Sequence, residues 1–264
     1  MKGIADYVFT GTLREGNHGT FHLAAPPARL GVDADTVVVK VLHERAGDDE
    51  FRRMANELRI HASVDSPLLV AILDAGHQDG RLYYAAEHFP EGSLAAPTGE
   101  RDGAARIAAV RDAARAAHAL HEAGVAHRDI KPDNVMLTTD GGRLGDLGLA
   151  QILNPGMTVT GVGPIGALEY LAPEVAHGAP GGRASDIWAL GATLHRALTD
   201  APLYPEMPTG SVLAALRHLL DTRPTVAGDL APEVAVVVTA CLEPEPHDRP
   251  ATAAELADRL EALT

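Results

Sequence analysis

His127-Arg128-Asp129-Ile130-Lys131-Pro132-Asp133-Asn134 decides the reading of this 264-residue chain. The segment places an acid, a lysine two residues on and an asparagine five residues on in one extended stretch. An aspartate accepts a proton from a hydroxyl. A lysine neutralises charge on a migrating phosphoryl group. An asparagine carbonyl is a ligand for a hard metal ion. Any one of these alone reads as part of a polar loop with structural hydrogen bonds. The whole string does not, because so many specified positions rarely coincide by chance.

The chain changes character around this stretch. Residues 1–90 are mostly strand-like, with Val37–Leu42 as a β-branched run interrupted by one lysine and Leu82–Ala86 as a second run. Between them the spacing predicts a helix from Glu50 to Val64, on which Phe51, Met54, Leu58 and Ala62 recur, stopped by Pro67. From about residue 103 the pattern is helical. Ile107, Val110, Ala114, Ala117 and Leu120 share one face, and Gly124 is the expected cap. Further helices are predicted over 186–198, 211–220 and 251–263. Segment 90–103 is rich in Gly, Pro and charge and forms the seam. The expected class is α+β, a single domain with a small β-rich lobe over 1–89 carrying one main helix, and a larger helical lobe over 90–264.

Composition narrows the function classes. With 22 Lys+Arg against 36 Asp+Glu, the net charge is −14. Nucleic-acid binding demands a basic stripe, and an anionic membrane surface demands basic clusters, so neither partner is expected. The longest clean apolar runs, such as Leu68–Leu73, fall far short of a membrane span, and the N-terminal MKGIADYVFT lacks a secretory core. The expectation is a cytoplasmic protein. Cys241 is the only cysteine and lies in the apolar stretch Val234–Leu242, where it reads as a small buried hydrophobe. His118 and His121 stand three apart and raise the question of a metal. No third ligand is evident, so they read as exposed or core-edge residues. The acidic residues of 243–258 read as a solvated face.

The 127–134 string resembles the catalytic loop of eukaryotic-type protein kinases, H-R-D-x-K-P-x-N, in the bacterial serine/threonine branch. The family's other motifs have counterparts in the same order. Leu144-Gly145-Asp146-Leu147-Gly148 is similar to the magnesium-binding D-F-G, with Leu for Phe. Ala172-Pro173-Glu174 matches A-P-E, Asp186-Ile187-Trp188-Ala189-Leu190-Gly191 is similar to D-x-W-x-x-G, and Asp248-Arg249-Pro250 resembles the segment whose Arg pairs with the A-P-E Glu. A buried Arg249–Glu174 pair is therefore expected. Upstream, Val37-Val38-Val39-Lys40 resembles V-A-I-K, although a lone lysine in an apolar strand is also read as an edge-strand gatekeeper. Its carboxylate partner would be Glu57, with Glu44 and Glu50 as competitors that lie too early for that helix face. Leu13 to Phe21 is similar to the glycine-rich loop, with Gly16 and Gly19 in place and Arg14 where the first glycine belongs.

The resemblance covers about Tyr7 to Leu263 and implies a bilobal protein-kinase fold holding ATP with Mg2+ (or Mn2+) between the lobes. It implies Lys40, oriented by Glu57, on the α- and β-phosphates; Asp146 and Asn134 on the metal; Asp129 on the substrate hydroxyl; and Lys131 on the transferred group. Leu13, Gly16, Gly19, Phe21, Val38, Ala86, Glu87, Phe89 and Met136 would surround the nucleotide, the hinge offering backbone groups of Glu87 and Phe89. Thr158 and Thr160 resemble activation-loop phosphosites, with Arg128 placed to receive a phosphothreonine. A dimer for trans-autophosphorylation and a protein substrate would be the partners. Phe21 and Val38 add volume where the family has Val and Ala, and Ala86 removes it at the back, so an altered pocket is expected. Ala167 stands where the family has a threonine that hydrogen-bonds near the catalytic Asp and Lys. Ala167→Thr is expected to raise peptide turnover about 10-fold if one orienting hydrogen bond is regained, as measured by steady-state peptide phosphorylation. Arg14, Phe21, Val38 and Ala167 favour a rival reading, a pseudokinase acting as a nucleotide-binding or scaffolding module. A second rival, a small-molecule kinase of the aminoglycoside-phosphotransferase type, is disfavoured by the activation-segment motifs.

Overall fold

A computed structural model describes residues 2–16, 19–45, 48–146, 165–199 and 201–264, with the side chains of these residues apart from 44, 45, 48–51, 53, 54 and 57. The chain divides into two compact units. Among the described residues, one holds those of 2–65 and 70–88; the other holds 66–69, 89–146 and those of 165–264.

The first unit contains β1 (Gly3–Ile4), β2 (Tyr7–Gly16), β3 (Gly19–Ala24), β4 (Val37–Arg45), α1 (Asp48–Ser63), β5 (Ile72–Gln78) and β6 (Arg81–Glu87). Its strands form one six-stranded sheet in the order β1-β2-β3-β4-β6-β5, every pair antiparallel. Val37, Val39 and Val41 alternate into the core with Ile4, Tyr7, Ala24, Tyr83 and Ala85. The side-chain period of two then sends Val38 and Lys40 to the other face. Asp79 and Gly80 join β5 to β6 with φ of +52° and +75°, the left-handed pair a two-residue hairpin of this hand requires. Arg29 closes the edge, donating to Asp6 and Asp74, while Tyr7 Oη donates to Asp74 at 2.8 Å.

The second unit contains β7 (Gly92–Ser93), β8 (Ala96–Pro97), α2 (Gly103–Glu122), β9 (Val135–Leu137), β10 (Gly142–Leu144), α3 (Pro173–Ala176), α4 (Arg183–Leu198), α5 (Val212–Asp221), α6 (Pro232–Cys241) and α7 (Ala253–Glu261). The short strands pair in the order β10-β9-β7-β8. Asp102 caps α2 by accepting from Ala105 N–H at 2.8 Å. The helix ends at Gly124, φ +79°, where Gly124 N–H reaches His121 O and Val125 N–H reaches Leu120 O. That left-handed turn satisfies two terminal carbonyls and is why glycine stands there. Helix α4 starts three residues before its expected start at 186, whereas α5 and α7 start one and two residues inside their expected ranges, after caps in which Ser211 accepts from Ala214 N–H and Thr252 from Glu255 N–H.

Helix α4 is the axis of this unit. Residues Asp186–His195 are all buried, as befits a helix surrounded by others. It packs on α2 and α6. At its closest approach to α6, a Cβ on Gly191 would lie 2.3 Å from Cys241 Cβ. Gly191→Ala is expected to destabilise the protein by about 1–3 kcal/mol despite the better helix propensity of alanine, read by urea unfolding. Cys241 is fully buried, as expected, and burial pushes its thiol up to about 12. No described helix is long and apolar enough to cross a membrane.

Candidate active site

The 127–134 string follows α2 and Gly124 and meets the first turn of α4 at the buried Asp186. Arg128 takes φ +68°, unusual for a residue with a side chain. The Asp186 carboxylate, on the first turn of α4, holds this bend. It accepts from His127 N–H at 2.7 Å and from Arg128 N–H at 2.8 Å. A third partner is His121 Nε2 at 2.8 Å. An ionised carboxylate only accepts, so His121 carries a proton on Nε2. His121 is 1% exposed, which corrects its expected place at an exposed or core-edge position: it is an internal strut between α2 and α4. Among the described residues no cluster of metal-ligating type includes it or His118.

His127 is equally buried. Its Nε2 lies 3.1 Å from Gly145 O, so Nε2–H donates, and Nδ1 accepts from Asp129 N–H at 3.4 Å. The second bond needs the neutral ring, since a protonated imidazole has no acceptor nitrogen. Burial holds the His127 pKa below the usual histidine value, against the opposing pull of Asp186, Asp129 and Asp146. A depressed folded-state pKa stabilises the protein above the ordinary value near 6.5, and that contribution is lost as pH falls below it. His195, also lowered by burial, acts with the same sign. The melting temperature is expected to be level at pH 7–8 and to fall below about pH 6.5, with a shallower fall in His127→Phe.

The three functional groups of the string meet. Lys131 Nζ donates to both Asp129 oxygens, each at 2.8 Å. Asn134 Nδ2 donates to Asp129 O at 2.7 Å and to Asp129 Oδ2 at 3.0 Å. The 3-10 turn Pro132–Asn134 sets this spacing, since its fixed proline brings residue 134 back over residue 129. Asn134 O accepts from Gly145 N–H at 2.9 Å, which joins the loop to the segment bearing Asp146, whose φ is +56°. Asp129, Lys131, Asn134 and the backbone before Asp146 therefore form one cluster. Met136 lies on β9 beside it, half-buried. Asp129 is about a third exposed, at 32%, while Asn134 is sealed at 0%.

The expected Arg249–Glu174 pair is present. Arg249 Nη1 and Nη2 reach Glu174 Oε1 and Oε2, both at 2.8 Å. Its remaining donors go to the carbonyls of Ala184, Glu243 and Pro244, and its guanidinium lies 5.0 Å from the Trp188 ring centroid. Ala167 falls in the 3-10 turn Ile165–Tyr170.

In the first unit, Lys40 lies on β4 at 6% exposure. Its ammonium stands 4.8 Å from the Phe21 ring centroid and 5.8 Å from that of Tyr84. Val38 pairs with Leu23 and Ala86 on the neighbouring strands. Leu13 is exposed on β2. Gly16 and Gly19 face each other at the tip of the β2–β3 hairpin. A Cβ on Gly19 would meet Val41 O at 2.6 Å, so glycine there is demanded by strand packing whatever it does toward a ligand. Glu87 N–H is donated to Ala71 O at 3.2 Å, and Phe89 O accepts from Gly92 N–H at 3.1 Å. The hinge backbone expected to face a base is thus partly committed. The Glu57 side chain and its competitors at 44 and 50, and Thr158 and Thr160, lie outside the described positions.

Sequence reasoning treated Asp186 as scaffold and missed that its carboxylate fixes the backbone of the 127–134 string. The D-x-W-x-x-G spacing marked the residue but said nothing of which N–H groups it serves.

A family model described as the protein kinase domain matches residues 15–259. The chain belongs to that family. It is 31% identical over 258 residues to a probable serine/threonine-protein kinase PkwA of Thermomonospora curvata, covering 96% of this chain and 34% of that protein. It is 32% identical over 235 residues to the serine/threonine-protein kinase PknB of Mycolicibacterium smegmatis, covering 83% of this chain and 37% of that protein. The chain thus spans little more than a third of the length of these relatives. Among solved structures, the PknI kinase domain of Mycobacterium tuberculosis matches with a TM-score of 0.72 and 26% identity, covering 99% of this chain and 98% of that one.

Proposed function

We propose that the chain is the catalytic domain of a cytoplasmic serine/threonine protein kinase, moving the γ-phosphoryl group of ATP to protein hydroxyls, those of Thr158 and Thr160 in a second copy included. The observation that carries this reading is Asp129 held at both oxygens by Lys131 and at one by Asn134.

The residues present fit a hard cation. Asn134 spends its amide N–H groups on Asp129, and its Oδ1 is buried with no donor among the described residues. An orphaned buried acceptor is costly unless a cation meets it. Asn134 and Asp146 would hold magnesium or manganese, and Lys40 the nucleotide phosphates. When bound, the metal and nucleotide supply the transferable group and neutralise its developing charge. The chain's own groups do the rest. Asp129 Oδ1 or Oδ2 accepts the hydroxyl proton. Lys131 Nζ fixes the carboxylate's orientation before reaction and places a positive charge beside it. Asp186 holds the bend that aims both. Catalysis is then mainly positioning and preorganised electrostatics.

The test is incubation with radiolabelled ATP and Mg2+, beside Asp146→Asn, with modified sites mapped by mass spectrometry. Asn tolerates the left-handed backbone of position 146, so the variant is expected to fold. Label on Thr158 or Thr160, or on a generic basic protein, that vanishes in the variant is the expected result. Folded protein that labels neither itself nor any protein overturns the reading in favour of a binding module. Label confined to small metabolites overturns it in favour of a small-molecule kinase.

A further inference from the structure

The 3-10 turn Ile165–Tyr170 is tied down by a side chain that the chemistry above does not use. Leu203 N–H donates to Glu169 Oε1 at 2.6 Å. Leu203 is fully buried, so a lost Glu169 acceptor would strand a sealed amide. Glu169 is half-buried, and burial holds its carboxyl above the ordinary range, against the pull of the Leu203 amide and of Arg196. The segment that receives it is itself fixed. Leu203 O accepts from Thr225 N–H at 2.7 Å, and Ala227 N–H donates to His195 Nε2 on α4 at 3.0 Å. Tyr204, also buried, stands edge-on to the His218 ring of α5, with centroids 6.5 Å apart.

The turn packs on α4 and α5, and α4 packs also on the 132–134 turn that brings Asn134 over Asp129. One helix thus sets the 165–170 turn along the 127–134 string. Burial raises the Tyr170 phenol first, and the Glu169 and Asp133 carboxylates add to it, which puts Tyr170 within electrostatic range of the string. Downstream, Arg249 holds Glu174. The stretch from 165 to 174 is therefore pinned at two carboxylates. A hydroxyl must reach Asp129 from its open side, past this stretch. We infer that Glu169 is a positioning residue for the protein substrate: its carboxylate ties the 165–170 turn to the backbone of residue 203 and so fixes the surface against which the chain bearing the hydroxyl lies. Glu169 touches no reacting atom and acts only through that turn. The inference rests on the proposed function for the identity of the substrate.

Two readouts test it in Glu169→Ala and Glu169→Gln. The first is steady-state phosphorylation of myelin basic protein. Glu169→Ala is expected to raise the KM for that protein about 10-fold, the worth of one hydrogen bond to a charged group, with kcat and the KM for ATP within about twofold. Glu169→Gln keeps an acceptor for Leu203 N–H and is expected to stay within about threefold of wild type. The second is amide hydrogen exchange. The amides of Leu203 and of 166–171 are expected to exchange about tenfold faster in Glu169→Ala, with those of α2 and α4 unchanged. Glutamine restores the slow rates. An unchanged protein KM in Glu169→Ala overturns the inference. So does a loss shared by kcat and both KM values, or faster exchange throughout α4, which would make Glu169 a general structural residue. If wild type phosphorylates no protein while exchange at 203 and 166–171 alone follows the expected order, the positioning of the turn stands and the kinase reading falls.

Discussion

Asp129→Asn is expected to lower the rate constant of phosphoryl transfer by about two to four orders of magnitude, the usual worth of a positioned general base. The substitution keeps size and shape and removes basicity. It also disturbs the cluster, because Lys131 donates to both oxygens of residue 129 and Asn134 donates to one. An amide at 129 offers one acceptor in place of two, so one donor must face the new NH2. Since residue 129 is about a third exposed, water relieves that conflict, and the stability change is expected to stay within about 1 kcal/mol. Single-turnover kinetics with labelled ATP, beside a melting curve, separates the two effects. A rate within tenfold of wild type in folded protein would sink the assignment of Asp129 as the proton acceptor. A lost rate accompanied by a lost fold would make it structural.

The second large effect concerns stability. Arg249→Met is expected to cost about 3–5 kcal/mol, because it strands Glu174 and leaves three carbonyls without their donor. For a chain of this length that is a fall in melting temperature of roughly 6–20 °C. The Arg249 side chain is 0% exposed and Glu174 23%, so the reverse break, Glu174→Gln, leaves a buried guanidinium that keeps its carbonyl partners and one amide oxygen. It is expected to cost less than half as much. Equal losses, or an Arg249→Met melting temperature within about 2 °C of wild type, would refute the account.

Much of the site was legible. The 127–134 string carries its chemistry in local spacing, and a 3-10 turn with a proline at its first position needs no distant partner to bring Asn134 over Asp129. The alternation of Val37, Val39 and Val41 announces the buried face of β4 and so the opposite side for Lys40. Asp79-Gly80 was a readable hairpin signal that sequence reasoning passed over. The Arg249–Glu174 pair spans 75 residues and was expected only through the family resemblance; nothing in the local pattern joins the two.

The glycine-rich hairpin shows where local reading stops. Gly16 and Gly19 suggest a tip that approaches phosphates, whereas the structure has Gly19 clearing Val41 O and Gly16 clearing the Phe21 ring. Arg14 meets Phe21 only because the β2–β3 register shifts twice, between Phe9 and Gly11 and between Thr12 and Arg14. A one-residue shift turns a side chain to the other face of the sheet, and no periodicity in the chain encodes where such shifts fall.

The same holds for Asp186 and His121. The sequence alone determined which chemical groups exist, their order, and the local turns that bring Asp129, Lys131 and Asn134 together. Only the tertiary structure decided that a carboxylate on α4 would carry the backbone of 127–128, that a histidine on α2 would brace it, and that Arg14 and Lys40 would both lie against the Phe21 ring. Those are contacts between elements far apart in the chain. They depend on register, helix packing and burial, which are properties of the assembled fold and leave no trace in the spacing of residues.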